Sequence, residues 1–151
     1  MTIESNYKLL RKLEIFENLG AAELKRMIFL SRHYQLQAGE YLFNEGEHTH
    51  SVFGILTGEF SVFLPSDGKE ILLDKPTSGS LVGEMSVISG EPRSASMRAE
   101  TASEVIEIDS DLFLETLTGN PQVAKKMMQL LAARLINANK MLEHTAQTNC
   151  C

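Results

Sequence analysis

Cysteine is nearly absent from this chain: Cys150 and Cys151, adjacent at the C-terminus, are the only two in 151 residues. Side by side at a chain end they cannot staple a fold, and they suit a reducing compartment. Long apolar runs are missing as well. None approaches the roughly 18 residues of a membrane span, and Glu4, Lys8, Arg11, Lys12, Glu14 and Glu17 break up any signal-peptide core near the start. The expectation is a cytoplasmic protein with no membrane span. Positive charge is also short, with 14 Lys and Arg against 20 Asp and Glu, a net charge of −6. Such a field repels phosphate backbones and argues against a nucleic-acid partner. An anion bound here needs a local set of donors, so single arginines become informative.

What remains is the composition of an ordinary globular domain: 43% hydrophobic, 23% charged, seven Phe and no Trp. A chain of this length can bury one core without disulfides or metal. Leu9, Leu10 and Leu13, then Leu24, Met27, Ile28 and Leu30, fall at helical spacing and predict two short helices over 4–13 and 21–31. From about Tyr34 to Ile108 the pattern changes to short β-branched and aromatic runs separated by glycines, the spacing of an antiparallel roll. Residues 52–56 and 60–64 read as strands. Pro65, Ser66, Asp67 and Gly68 read as a four-residue turn with positive φ at Gly68. The closing strand is 105–108, after which Ser110 and Asp111 offer helix N-caps. Pro121 then opens a helix to about His144, with Val123, Met127, Leu130, Leu131, Leu135, Ala138 and Leu142 on one stripe.

The predicted fold is therefore mainly β with flanking helices: N-terminal helices over 1–33, a β-roll of the jelly-roll, double-stranded β-helix type over 34–109, C-terminal helices over 110–145, and a flexible tail at 146–151. A helix-turn-helix domain needs roughly 60 to 80 further residues beyond the last helix. The expectation is a stand-alone module.

Residues 79–99 interrupt the sheet. Gly83-Glu84 ends a strand, Met85 to Ser89 makes one helical turn, Gly90-Glu91-Pro92 turns, and Arg93 restarts extended structure. Such a loop suits a small ligand carrying one negative charge and a ribose diol. Free backbone N–H groups at a helix start favour anions, and the Arg93 guanidinium can meet two phosphate oxygens in parallel. Ser94 adds a hydroxyl, and Ala95 leaves room for close backbone approach. Glu84 is an acceptor suited to a ribose 2′-hydroxyl, and Gly83 lets the backbone pass beside the sugar.

Gly-Glu-Met-Ser-Val-Ile-Ser-Gly-Glu-Pro-Arg-Ser-Ala, residues 83–95, resembles the phosphate-binding cassette of the cyclic nucleotide-binding domain family, which includes protein kinase A regulatory subunits, the catabolite activator protein and cyclic-nucleotide-gated channels. Ile-Phe-Glu-Asn-Leu at 15–19, Ala-Gly-Glu-Tyr-Leu-Phe-Asn-Glu-Gly-Glu at 38–47 and Ile-Leu-Thr-Gly-Glu at 55–59 are similar to the segments before the cassette. The resemblance implies Glu84 for the ribose, Arg93 and Ser94 for the cyclic phosphate, and backbone amides of Gly83, Met85 and Ala95. It further implies Leu73, Leu81, Val82 and Met97 as walls for base and sugar, Asn139 near the base edge, and Arg134 as partner of Glu84 or of the ligand. Gly54 departs from the family pattern, which places a larger strand residue there and so suggests a small void.

The implied function is regulatory: a cyclic nucleotide monophosphate, cAMP or cGMP with cAMP preferred, closes the C-terminal helix and signals to an effector protein. That helix can also pair a homodimer. The alternative is a ligand-free scaffold or oligomerisation module. No cofactor and no enzyme are expected, because no nucleophile sits beside a base at a recognised spacing. His48-Thr49-His50 resembles half of a cupin metal motif, but the positions where the third ligand belongs are Gly54 and Ile55, so no metal is expected.

Overall fold

The computed structural model describes residues 3–48 and 50–149, with side chains from Ser5 to Glu143. Alternation of apolar and polar residues builds two four-stranded antiparallel sheets. The first orders β1 (Arg32–Leu36), β8 (Ser103–Asp109), β3 (Ser51–Thr57) and β6 (Leu81–Val82); the second orders β2 (Tyr41–Phe43), β7 (Ser96–Ala99), β4 (Phe60–Ser66) and β5 (Lys69–Asp74). Two sheets facing across an interior, with strands passing from one to the other, are the expected roll.

The period of two divides the core. On β3, Phe53 and Ile55 point between the sheets with Phe60, Val82, Met97 and Val105, whereas Val52 and Leu56 point outward with Ile106 and Ile108. That outer face receives the helices: α1 (Ile3–Arg11), a 3-10 turn at Glu14–Phe16, α2 (Ala21–Leu30), α4 (Ser110–Gly119) and the start of α5 (Pro121–Asn149). Arg11 fastens the first of these by donating to the carbonyls of Phe16, 3.0 Å, and Leu19, 2.5 Å.

Several sequence expectations change in detail. Gly54 leaves no void: a Cβ there would stand 2.8 Å from Leu13 Cδ1 and 3.1 Å from Ile106 Cγ2, so the missing side chain lets the helical layer close on β3. The hairpin turn has two residues rather than four, with positive φ at both Asp67 (49°) and Gly68 (77°). Pro65 stays in β4 opposite Glu70, at a level where β7 no longer pairs with β4, so its missing N–H costs no ladder bond. The cap of α4 is Asp109, whose carboxylate accepts from the Asp111 amide at 3.0 Å, one residue before the expected caps.

The last helix runs past His144 to Asn149, because neither Pro nor Gly interrupts it after Pro121. Of the expected flexible tail, 146–149 continue this helix, and Cys150 and Cys151 lie outside the described residues. Its stripe is only partly buried. Val123 and Met127 are core residues and Leu130 and Leu131 pack against it, but Leu135 is 64% and Leu142 68% exposed. Among the described residues no helix is long and apolar enough to cross a membrane.

Candidate functional site

The interruption of the sheet is a six-residue helix, α3 (Glu84–Ser89), bounded by Gly83 with φ 79° and Gly90 with φ 78°. Both glycines reverse the chain in the left-handed region that side chains disfavour, so the helix is set off sharply from β6 and from the following turn. Glu84 therefore begins the helix instead of ending the strand as expected. Its carboxylate is turned inward, 1% exposed.

Arg93 arrives from the other side of the loop. Its backbone is clipped to the segment after β2, its amide donating to the Glu47 carbonyl at 2.9 Å and its carbonyl accepting from Gly46 at 2.8 Å. Its side chain is 4% exposed. Nη1 donates to the Gly83 carbonyl at 2.8 Å and to Ser86 Oγ at 3.0 Å, and Nη2 donates to the Ser51 carbonyl at 2.8 Å. The guanidinium also lies 4.3 Å from the centre of the Phe43 ring and 5.7 Å from that of Phe53. Burial lowers its pKa to about 10, opposed by the negative charges of Glu47 and Glu107. The approach to Gly83 is so close that a Cβ there would stand 2.3 Å from Nη1.

Between these side chains lies a cavity of about 210 Å³. It brings together ten of the twelve residues singled out from the sequence: Leu73, Val82, Gly83, Glu84, Met85, Arg93, Ser94, Ala95, Met97 and Arg134. Arg134, half-exposed on α5, forms an ion pair with the Glu84 carboxylate and donates from Nη2 to the Leu81 carbonyl at 2.9 Å. Partial burial lowers its pKa, while the nearby carboxylate of Asp74 opposes that shift. The pairing with Glu84 was one of the two roles expected of Arg134.

Leu81 and Asn139 do not line the cavity. Consecutive strand residues face opposite ways. Val82, opposite Phe53, points into the roll, so Leu81, opposite Gly54, must point to the helices, where it joins Leu10 and Leu13 in the outer core. Asn139 lies five residues beyond Arg134, about 7.5 Å along the axis and some 140° around it, on the exposed part of the helix. The cavity also includes Phe43, Val62, Asp74, Pro76 and Ser86, which sequence reasoning missed. Phe43 and Val62 were readable as inward positions of alternating strands. Ser86 carried only its place in the first turn of α3, and nothing in the sequence marked Asp74 or Pro76.

Chemically, the cavity offers an acceptor-only carboxylate and a donor-only guanidinium, both buried, with Asp74, Ser86, Ser94 and Arg134 as further polar groups on largely apolar walls. Among the described residues no group of three His, Cys, Asp or Glu side chains is placed to hold a metal ion.

The chain is similar in sequence and fold to known proteins. The cAMP-activated global transcriptional regulator CRP of Salmonella typhimurium is 32% identical over 96 residues, covering 62% of this chain and 46% of that protein. A cyclic nucleotide-gated potassium channel of Rhizobium etli is 27% identical over 129 residues, 85% of this chain and 35% of the channel. The chain thus spans less than half the length of either. The sensor domain of the transcriptional regulator DNR from Pseudomonas aeruginosa has the same fold, with a TM-score of 0.80 at 21% identity over 91% of this chain and 93% of that domain. These relatives are regulators and a channel rather than enzymes. Two of them are transcriptional regulators or part of one, so the expectation that nucleic acid plays no part concerns only the acidic surface of this chain. The family model of the cyclic nucleotide-binding domain matches residues 34–120, and the chain belongs to that family.

Proposed function

We propose that this domain is a cytoplasmic, non-enzymatic sensor of a cyclic nucleotide monophosphate, cAMP in preference to cGMP, which reports to an effector protein through α5. The observation that carries the reading is the convergence of two buried and oppositely charged side chains, Glu84 and Arg93, on one cavity. The transcriptional regulator CRP, 32% identical over 96 residues, is cAMP-activated, which supports the choice of nucleotide.

In this reading Arg93 gives up its bonds to the carbonyls of Gly83 and Ser51 and turns its two terminal nitrogens to the cyclic phosphate, with Ser94 and the amides around Ala95 beside it. Glu84 accepts from the ribose 2′-hydroxyl. A carboxylate has about four lone-pair sites, so it can serve the hydroxyl and Arg134 together. Leu73, Val82 and Met97 flank base and sugar. The cavity, at about 210 Å³, is smaller than the roughly 300–1,000 Å³ of ligand clefts, so entry requires α5 to lift and closure to follow. The closed state need bind nucleotide only about 1–3 kcal/mol more strongly than the open one to transmit a signal.

Titration calorimetry with cAMP and cGMP on the wild type and on Arg93→Ala tests this. Wild-type binding of cAMP with loss in the variant is expected; equal affinity in the two proteins moves the site elsewhere. A second reading, self-association through α5, is favoured by the exposure of Met128, Leu135, Ile136, Met141 and Leu142 on that helix. It is compatible with the first.

A further inference from the structure

Ser86 is a polar residue at a buried place. It stands in the first turn of α3 and is 8% exposed, while Met85 and Ile88 on the same helix are 56% and 41% exposed. The short helix thus buries a hydroxyl and leaves two large apolar side chains in water. Packing alone predicts the reverse, because a buried hydroxyl is costly unless it is hydrogen-bonded. Here it is bonded twice: Oγ accepts from Arg93 Nη1 at 3.0 Å and donates to the Gly83 carbonyl, three residues back, at 3.2 Å. The same residue lines the cavity that Glu84 and Arg93 share.

The acceptors around this guanidinium behave differently toward an anion. The carbonyls of Gly83 and Ser51, each 2.8 Å from a terminal nitrogen of Arg93, can only accept, so a phosphate competes with them for the same protons. A hydroxyl has lone pairs and a proton. Ser86 can keep Arg93 Nη1 on a lone pair and, by rotation about the Cβ–Oγ bond, turn its proton from the Gly83 carbonyl to the anion. The bond it gives up is weak, since 3.2 Å is long for a hydroxyl donor. Oγ and Nη1 stand 3.0 Å apart, so one oxygen about 2.9 Å from the nitrogen can lie about 2.7 Å from the hydroxyl. A charged donor and a neutral one then meet on a single phosphate oxygen.

We propose that the Ser86 hydroxyl is a ligand of the cyclic phosphate, held on Arg93 Nη1 and donating to the same exocyclic oxygen as that nitrogen. The inference rests on the nucleotide reading and assigns to α3 two tasks from one helix: Glu84 serves the ribose and Ser86 the phosphate. It also makes the site selective at one of the two exocyclic positions, because a poor acceptor placed there forfeits the hydroxyl bond while leaving the other position untouched.

The test is titration calorimetry of the full chain and of Ser86→Ala with cAMP and with the two diastereomers of its phosphorothioate, in each of which sulfur, a weak acceptor, replaces one exocyclic oxygen. Ser86→Ala is expected to weaken cAMP and one diastereomer about tenfold, and the other diastereomer no more than about twofold, because there the lost donor faced sulfur. Ser86→Cys keeps the shape with a weak donor and should repeat the pattern if the alanine variant folds poorly. An equal loss with all three ligands makes Ser86 a structural residue, and no loss with cAMP places it away from the phosphate; either result overturns the proposal and leaves the nucleotide reading standing. A wild type that binds none of the three overturns that reading and the proposal together.

Discussion

Arg134 of the last helix caps the carboxylate of Glu84 on α3, and its second terminal nitrogen donates to the carbonyl of Leu81 on the strand just before. One side chain thus holds α5 against both the end of β6 and the start of α3. Glu84 is 1% exposed, and a buried carboxylate stripped of its partner keeps its desolvation cost without compensation. Arg134→Ala is expected to lower stability by about 1–3 kcal/mol, the smaller figures reflecting the water that reaches this half-exposed arginine. Glu84→Gln in the same background should recover much of that loss. Chemical denaturation of the two single variants and the double variant measures the coupling, and additive losses would mean that the pair contributes nothing.

Arg93 carries the opposite balance between stability and binding. Its burial lowers its pKa to about 10, so the cost of keeping it charged is fully present at neutral pH. That cost is relieved only as pH rises above 10 towards the ordinary arginine range, where the unfolded chain binds more protons than the folded one. Arg93→Met removes the charge and retains apolar contact with Phe43 and Phe53, while the carbonyls of Gly83 and Ser51 lose a donor. Stability is expected to change by no more than about 1 kcal/mol, and cAMP affinity to fall by about 3 kcal/mol, near a hundredfold. Calorimetry and denaturation on one preparation separate the two effects; parallel losses in both would make Arg93 a structural residue.

Gly83 couples the two halves of the site through its carbonyl, which accepts from Arg93, and through the space that its missing side chain leaves. A methyl group at this position meets Arg93 Nη1 at 2.3 Å and must also adopt φ 79°. The conformation costs roughly 1–2 kcal/mol for a residue with a Cβ, and the contact pushes the guanidinium from its seat. Gly83→Ala should therefore lower both stability and cAMP affinity, whereas Gly90→Ala, with φ 78° and nothing within 4 Å of its Cβ, should lower stability alone. The paired variants, measured by thermal unfolding with and without cAMP, isolate the steric part.

These residues also show how far the sequence could be read. Gly83, Glu84 and Arg93 are legible because each is a residue type with a chemical or conformational property that few others share, and they stand close together along the chain. Leu81 faces away from the wall that motif similarity assigns it, because a strand turns alternate residues to opposite faces. Gly54 was misread because its neighbours Leu10, Leu13 and Ile106 are far away in sequence and near only in the fold. Asp74 and Pro76 reach the cavity by the path of β5 and the loop after it, which no local pattern encodes. The hairpin turn has its expected place but is two residues shorter, because Pro65, beyond the last β4 residue paired with β7, stays in the strand.

Met128, Leu135 and Leu142 are spaced by seven residues along α5 and are 64%, 64% and 68% exposed. A seven-residue apolar repeat returns to nearly the same side of a helix, the condition for pairing with a second helix along a seam. Ile136 and Met141, 53% and 57% exposed, broaden that seam on this part of the helix. Leaving such a stripe in water forgoes roughly 1.5–3 kcal/mol for each large side chain that a partner would bury. The chain is therefore expected to sediment as a dimer, and Leu135→Glu combined with Leu142→Glu to sediment as a monomer with unchanged thermal stability of the roll, since neither side chain belongs to its core. Sedimentation velocity across a concentration series decides this: a wild type that stays monomeric at every concentration assigns the stripe no self-pairing role, and a double variant that stays dimeric places the interface on another surface.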